Sequence, residues 1–312
     1  QLQLLRITLE ELLPFSGSAE AREKTLRRLL KKSPEEGSPL LPGEHLVYFT
    51  PRVLNSTLGL DGTDTSFNPP GGIFTRRMWA GGSMEWSSSN LLRIGEQVTE
   101  RTFVDKVEVK KMGGGKGGEM LLVWVRKEFE NDNGIALQDR RSWIFQKALD
   151  QNNPLPAPPR VDIEAENKHP AQPPSEVAQQ DKPAHRLQLK HAELFRYSAL
   201  TFNGHAIHLD PEWCREREGH ASTVVHGPLN LTLLLRKWMI DTGKVDGKDL
   251  GRMEDLEEVA KAVSSVQYRA KKPVYAGQTY WLQSLQEKGK KGEDVVQAVR
   301  PDGAVIVEAS VQ

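Results

Sequence analysis

Residues 227–240 read GPLNLTLLLRKWMI, and this stretch is the strongest indication of how the C-terminal half folds. Taken as a helix, it carries apolar side chains around nearly its whole circumference, so it must be buried on most sides. Pro228 falls in the first turn, where a missing N–H costs little, and the sequence Asp-Thr-Gly follows at 241–243. We therefore predict one buried helix here, and a second, short helix near residues 254–263.

Period-two runs of apolar residues follow that helix and recur in the first half of the chain. They lie at 98–109, 121–125 and 143–145 in the first half and at 280–282, 295–296 and 305–307 in the second. Asn-Gly at 133–134 and Asp-Gly at 302–303 separate the last two runs of each set, which is typical of hairpins. Two halves with one strand pattern indicate a duplicated antiparallel unit, with chance similarity of two meanders as the alternative.

Residues 151–185 divide the chain. They hold eight of its 19 prolines and no aromatic residue. Such a composition buries too little apolar surface to offset the entropy of ordering, which is typical of a linker. We predict an N-terminal domain over 1–150, a proline-rich linker over 151–185 and a C-terminal domain over 186–312.

The composition excludes several classes of protein. Lys and Arg total 42 and Asp and Glu total 42, so the net charge is +0, which argues against a dedicated nucleic-acid binder. No apolar run approaches the roughly 20 residues of a membrane span. A single cysteine, Cys214, cannot form an internal disulfide. We expect neither nucleic acid nor membrane among the partners.

Four of the eight histidines fall between 205 and 226, directly before the buried helix; they are His205, His208, His220 and His226. Clustered imidazoles favour proton transfer near neutral pH. A zinc site that includes Cys214 and a purely structural role are the alternatives. The Gly227 amide at the helix start is a candidate donor to a carbonyl oxygen that gains charge, or it is simply where a helix begins.

The same region resembles a known family. TFNGHAIHLD (201–210) and EGHASTVVHGPL (218–229) resemble the hydratase motif of MaoC-like hot-dog proteins. RRMWAGGSMEW (76–86) and FNPP (67–70) resemble the branch that contains mitochondrial type 2 hydroxyacyl-thioester dehydratases and mesaconyl-CoA hydratases. The resemblance implies an α+β double hot-dog fold, in which each half is an antiparallel sheet wrapped around a central helix.

The family motif also implies site residues. It has Asp, then Asn two positions later, then His three further on, and these positions hold Asn203, His205 and His208 here. Asn203 cannot accept a proton, so we assign proton transfer chiefly to His208. Asn203 would hold the hydroxyl or a water, His205 would orient or assist, and the Gly227 N–H would bind the thioester oxygen.

The implied reaction is reversible dehydration of (3R)-3-hydroxyacyl thioesters, carried by acyl carrier protein or coenzyme A, to trans-2-enoyl thioesters in fatty acid synthesis. This is a hydro-lyase reaction without cofactor or metal. The alternatives are a mesaconyl-CoA-type hydratase and a non-catalytic acyl-thioester-binding protein. The resemblance points to the mitochondrial matrix, with the cytoplasm as the alternative, and leaves a homodimer open.

The remaining candidates are substrate-binding residues. Arg76 and Arg77 suit a carrier phosphate, Trp79 lines an acyl tunnel or fills the core, and His226 is placed at the substrate. The catalytic half is then the second, while the first, with Glu85 as its one suggestive carboxylate, is substrate-binding and structural. Two other features have plain interpretations: 110–118 as a hairpin tip, and 21–32 as a helix packed through Leu26, Leu29 and Leu30.

Overall fold

One antiparallel sheet runs through the whole chain. The computed structural model describes residues 1–15, 18–111, 118–148, 150, 152, 158–168, 172–178, 182–285 and 293–312. The strands in these residues are β1 Phe74–Trp86, β2 Thr99–Lys111, β3 Glu119–Asn131, β4 Gly134–Lys147, β5 His185–Gln188, β6 Ser265–Ala270, β7 Thr279–Ser284, β8 Asp294–Val299 and β9 Val305–Val311. Their order in the sheet is β2-β3-β4-β1-β6-β9-β8-β7-β5.

The strand order shows the duplication directly. The first half is ordered β2-β3-β4-β1 and the second is ordered β7-β8-β9-β6, and the two meet where β1 pairs with β6, Gly82 opposite Tyr268. Both predicted hairpins are present, with Gly134 and Gly303 at positive φ in their turns. The predicted tip at 110–118 lies mostly outside the described residues.

The described residues also form nine α-helices. They are α1 Leu2–Leu12, α2 Ala19–Lys31, α3 Ile163–Lys168, α4 Ser175–Ala178, α5 His191–Leu200, α6 Ala206–Leu209, α7 Pro211–Glu216, α8 Gly227–Asp241 and α9 Met253–Ala260. The prediction of a short helix near 254–263 is confirmed by α9. No helix in the described part of the chain is long and apolar enough to cross a membrane.

The long helix α8 is the core of the second half and confirms the predicted buried helix. It packs against β7, β8 and β9. Its leucines are wholly buried, each at 0 % exposure: Leu229, Leu231, Leu233, Leu234 and Leu235. Burial of one such side chain stabilises the fold by about 1.5–3 kcal/mol, so this helix is a large part of what holds the sheet in its curved form.

The first half lacks a helix of this kind. In the stretch between α2 and β1, which is fully described, the helical turns are the 3₁₀ helices Glu44–Val47 and Asn55–Thr57. Six prolines between residues 34 and 70 prevent a continuous α-helix, since each removes a backbone donor and clashes with the preceding turn. The α+β double hot-dog fold is confirmed; the long central helix belongs to its second half, and a 3₁₀ turn precedes the sheet of its first.

The N-terminal helix α2 differs in one detail from the prediction. Ser18 caps it by accepting a hydrogen bond from the Ala21 amide. Leu29 is buried, as expected, but Leu30 is 67 % exposed. The prediction for Leu30 is wrong because consecutive helical positions are 100° apart, so Leu29 and Leu30 do not share one face.

Candidate active site

His208 is held in one tautomer by the backbone. Its Nδ1 lies 2.7 Å from the Val224 carbonyl oxygen. Because a carbonyl only accepts, Nδ1 carries the proton and Nε2 keeps its lone pair. Burial lowers the pKa of His208 to about 3, and the charge of His205 adds to this. The ring is therefore neutral near pH 7 and is able to act as a base.

The ring of His208 lies at the start of α8. It stacks on the ring of His226, with 3.7 Å between centroids and 19° between planes. His226 is the N-cap of α8 and is 1 % exposed; its Nε2 lies 2.9 Å from the Ser198 hydroxyl oxygen. Burial lowers the pKa of His226 well below its usual range. His226 thus packs against one face of the His208 ring and is closed to solvent.

Gly227, the first residue of α8, is covered by a side chain from the other half. A Cβ at this position would lie 2.6 Å from Cε3 of Trp79. Trp79 belongs to β1, and its ring centroid is 4.9 Å from that of Tyr268. Only glycine permits this approach. The first N–H groups of a helix have no intrahelical acceptor, so the α8 N-terminus beneath Trp79 is suited to hold a negatively charged oxygen.

Asp61 is a site residue that the sequence did not reveal. Its Oδ2 lies 3.2 Å from Nε2 of His205, and the ring of His205 is 5.6 Å from that of His208, edge to face. The backbone oxygen of Asp61 accepts a hydrogen bond from the Ala206 amide at 2.7 Å. A loop of the first half therefore contacts the hydratase motif of the second.

Asn203 uses one end of its side chain within the motif. Its Oδ1 accepts a hydrogen bond from the His205 amide at 3.1 Å. The preceding residue, Phe202, has φ 51°, so the backbone turns sharply at this point. The amide nitrogen of Asn203 is left as its donor for a ligand.

A pocket of about 360 Å³ opens beside the motif. Asp61, Arg76 and Trp213 are on its wall. The guanidinium of Arg76 is already balanced, because its Nε bonds Glu218 at 2.7 Å and its Nη1 bonds Gln146 at 3.0 Å. This pocket gives a solvent path to the carboxylate that faces His205.

Arg77 differs sharply from its neighbour, since adjacent residues of a strand point to opposite faces. Its guanidinium lies 5.0 Å from the centroid of the Trp143 ring. Among the described side chains, none forms a hydrogen bond or an ion pair with it. Burial lowers the pKa of Arg77, although the charges of Asp64 and Asp61 oppose this. A half-buried cation of this kind is suited to an anionic ligand.

Several other predicted candidates are engaged in contacts of their own. His220 bonds the Tyr275 hydroxyl at 3.2 Å, and Cys214 donates to the Ile207 carbonyl. In the described ranges, no three His, Cys, Asp or Glu side chains are grouped so as to hold a metal ion. Glu85 is exposed and paired with Arg140. The zinc alternative therefore has no support among these residues.

The first half contains an Asp–His pair of its own. Oδ2 of Asp139 lies 3.5 Å from Nε2 of His45, and the two side chains are 0 % and 2 % exposed. The same oxygen accepts a hydrogen bond from Nε of Arg141 at 2.8 Å. Burial raises the pKa of Asp139, but the charge of Arg141 and the hydrogen bonds from His45 and Arg141 together outweigh it and bring the value to about 2. Rings of Trp86 and Phe129 enclose His45.

Comparison with known proteins shows the family of the chain. A profile of the family "Hydroxyacyl-thioester dehydratase type 2" matches residues 43–276. Mesaconyl-C(4)-CoA hydratase of Chloroflexus aurantiacus is 27 % identical over 283 residues, covering 90 % of this chain and 86 % of that protein. The mitochondrial hydroxyacyl-thioester dehydratase type 2 of Schizosaccharomyces pombe is 25 % identical over 201 residues, covering 63 % and 66 %.

Solved structures support the fold. A Mycobacterium tuberculosis protein described as having a double hot-dog fold aligns with a TM-score of 0.51 and 15 % identity, over 98 % of this chain and 90 % of that one. A MaoC-like dehydratase from Phytophthora capsici gives a TM-score of 0.50 and 20 % identity over 81 % and 78 %. The molecule is thus a double hot-dog protein.

Among proteins of this fold, the chain belongs to the hydroxyacyl-thioester dehydratase type 2 family, because the family profile covers most of its length. It is accordingly a hydro-lyase, an enzyme that adds water to a double bond or removes it.

Proposed function

We propose that this protein catalyses the reversible dehydration of 3-hydroxyacyl thioesters, with His208 as the group that moves the α-proton. The observation that carries the proposal is a neutral imidazole with a free Nε2 at the N-terminus of a buried helix. A base and an oxyanion donor side by side are what the reaction needs, because the α-proton must leave while negative charge grows on the thioester oxygen.

The other site residues take roles around that base. The Gly227 N–H binds the thioester oxygen beneath Trp79, and the Asn203 amide nitrogen holds the hydroxyl or the water. The second half, 186–312, carries the chemistry. The first half, 1–150, supplies Trp79 and Arg77 and acts as the substrate-binding and structural domain, with 151–185 as the linker.

We assign the physiological direction as dehydration of (3R)-3-hydroxyacyl groups on acyl carrier protein or coenzyme A during fatty acid synthesis. The family description and the fission-yeast relative, which is named as mitochondrial, support this role and a mitochondrial setting. Arg76 and Arg77 are the proposed contacts of the carrier phosphates. For Arg76 this contact would compete with Glu218, which already binds it.

One observation favours a second candidate, a mesaconyl-CoA-type hydratase. Arg77 is half-buried, and none of the described side chains pairs with it. A guanidinium binds a carboxylate as readily as a phosphate, and a mesaconyl group carries a free carboxylate. The bacterial relative that covers most of the chain is named for that substrate.

A substrate comparison separates the two candidates. We expect the purified protein to hydrate crotonyl-CoA, followed by the loss of enoyl-thioester absorbance. If Arg77 binds an acyl carboxylate, R77L will lower kcat/KM for mesaconyl-C(4)-CoA much more than for crotonyl-CoA; an equal loss for both assigns Arg77 to the carrier. Absence of turnover with either thioester, together with retained binding, would make the protein a non-catalytic thioester binder.

A further inference from the structure

We propose that Asp61 of the first half supplies the carboxylate that the hydratase motif lacks, and that it acts through His205. His205 then protonates the leaving hydroxyl while His208 takes the α-proton. The inference rests on the proposed function and deepens it. The starting observation is a mismatch: the motif position that holds Asp in the wider family holds Asn203 here, and an amide cannot deliver or balance charge.

Neighbouring residues hold the Asp61 carboxylate in place against His205. Oδ1 of Asp61 accepts hydrogen bonds from the Thr63 amide at 3.0 Å and the Thr63 hydroxyl at 2.6 Å, which leaves Oδ2 for His205. Next to it, a Cβ at Gly62 would lie 2.4 Å from the Gly204 carbonyl oxygen. Gly62 also has φ +76°, so glycine is required twice over for the loop to lie on the motif.

The charges around the three imidazoles separate their roles. His208 and His226 are stacked on each other and, among the described residues, neither pairs with a carboxylate, whereas His205 faces Asp61 directly. Hydrogen bonds from His205 and Thr63 outweigh the effect of burial and hold the pKa of Asp61 well below its usual range, so the carboxylate is ionised. Neighbouring titratable groups in opposite environments are the usual basis for one acid and one base.

The titratable groups around this pair come from both halves. His208, His220 and His226 are close enough for the charge of His205 to lower their pKa values. The charges of Asp61 and Asp64 both act on Arg77. Asp61 is the carboxylate in direct contact with the His205 ring.

The proton balance follows from these positions. In dehydration, Nε2 of His208 takes the α-proton, and the electron pair of that C–H bond forms the new double bond. The bond from C3 to the hydroxyl oxygen breaks with its pair on oxygen, and that oxygen takes the proton of His205 to leave as water. His208 then loses a proton and His205 regains one by exchange with solvent, so the net products are the enoyl thioester and water.

The test compares D61N with D64N in the full-length protein. Asp64 lies in the same loop with the same charge, but its carboxylate caps the Ser66 amide and hydroxyl, so D64N is a matched control. We expect D61N to lower kcat by on the order of 10²-fold with KM changed less than threefold. In the dehydration direction, with 3-hydroxybutyryl-CoA as substrate, the alkaline limb of the kcat–pH profile of D61N should move to lower pH by roughly one unit, and D64N should leave both kcat and this limb unchanged.

The outcomes separate this inference from the proposed function. If the wild type does not hydrate crotonyl-CoA at all, the proposed function fails. If the wild type and D64N turn over and D61N keeps the wild-type kcat and pH profile, the role of Asp61 is wrong while His208 stands. Should D61N fold poorly, D61E keeps the charge: we expect it to retain the alkaline limb, and a limb displaced as in D61N would overturn the inference.

Discussion

The described residues include two Asp–His pairs that differ in exposure and in their other partners. Asp139 and His45 both belong to the first half, whereas Asp61 of the first half meets His205 of the second. Asp139 and His45 are closed off at 0 % and 2 % exposure, and Arg141 also binds the carboxylate. Asp61 and His205 have side chains that are 14 % and 12 % exposed, and Asp61 lines a pocket. The second pair is therefore partly exposed, with Asp61 on a pocket wall, and the first pair is closed to solvent.

Solvent access and the presence of a charged third residue determine the role of each pair. The Asp139 charge is balanced by the Arg141 guanidinium. Burial lowers the pKa of His45, so its ring is neutral near pH 7. The Asp61 carboxylate has no guanidinium partner among the described residues, and it contacts the His205 ring. The first pair is therefore structural, and the second is available for proton transfer.

Removal of the base leaves both pairs intact and should have the largest effect. We expect H208Q to lower kcat for crotonyl-CoA hydration by about 10²–10⁴-fold, since a positioned acid or base contributes that much. Far-UV circular dichroism and thermal unfolding should match the wild type. A kcat within threefold of the wild type would contradict the assignment of His208.

Disruption of the enclosed pair should affect stability instead. D139N leaves the Arg141 guanidinium without its buried partner, and loss of one partner of a buried pair costs about 3–5 kcal/mol. We expect urea unfolding to show a loss near the lower end of this range, because Arg141 is 19 % exposed. The alkaline limb of the kcat–pH profile should stay in place, and a shift like that of D61N would make the two pairs equivalent.

Much of the fold could be predicted from local pattern. The apolar run at 227–240 gave α8 within one residue, and the Asn-Gly turn at 133–134 gave the β3–β4 hairpin. Each depends on neighbours in sequence, where periodicity and turn chemistry act. The placement of His208 beside Gly227 was likewise accessible, since the motif and the helix start are close in the chain.

The parts of the site that come from the first half could not be predicted in this way. The ring of Trp79 reaches Gly227 only because β1 and β6 pair across the centre of the sheet. Asp61 lies in a loop without regular periodicity, and its contact with His205 joins residues that are nearly half the chain length apart. No local pattern encodes the pairing of two domains, so these residues appear only in three dimensions.

The contact between the halves at the helix start gives the next prediction. In G227A the new methyl group would lie 2.6 Å from the Trp79 ring, so the ring or the helix start must move. Loss of one oxyanion donor typically lowers kcat by about 10²–10³-fold, and we expect a loss in the lower part of this range. As a control, S222A truncates a buried side chain shortly before the start of α8, and it should keep the wild-type kcat.

The smallest expected effect is on pH-dependent stability. The folded pKa of His208, about 3, lies below the unfolded value near 6.5, so the unfolded chain binds more protons between these values. Stability therefore falls as the pH drops below about 6.5, by up to about 1.4 kcal/mol for this group at one unit lower. Urea unfolding at about pH 5.5 and about pH 7 should show a smaller pH loss in H208Q than in the wild type; an equal loss would contradict the buried neutral ring.

The most direct measurement is hydration of crotonyl-CoA in deuterated water, with mass spectrometry of the 3-hydroxybutyryl product. If His208 delivers the proton to the α-carbon at the tip of α8, the wild type will place one deuterium there, and H208Q will do so at a rate lower by about 10²-fold or more. Equal rates of deuterium incorporation in the two proteins would show that another group moves the α-proton.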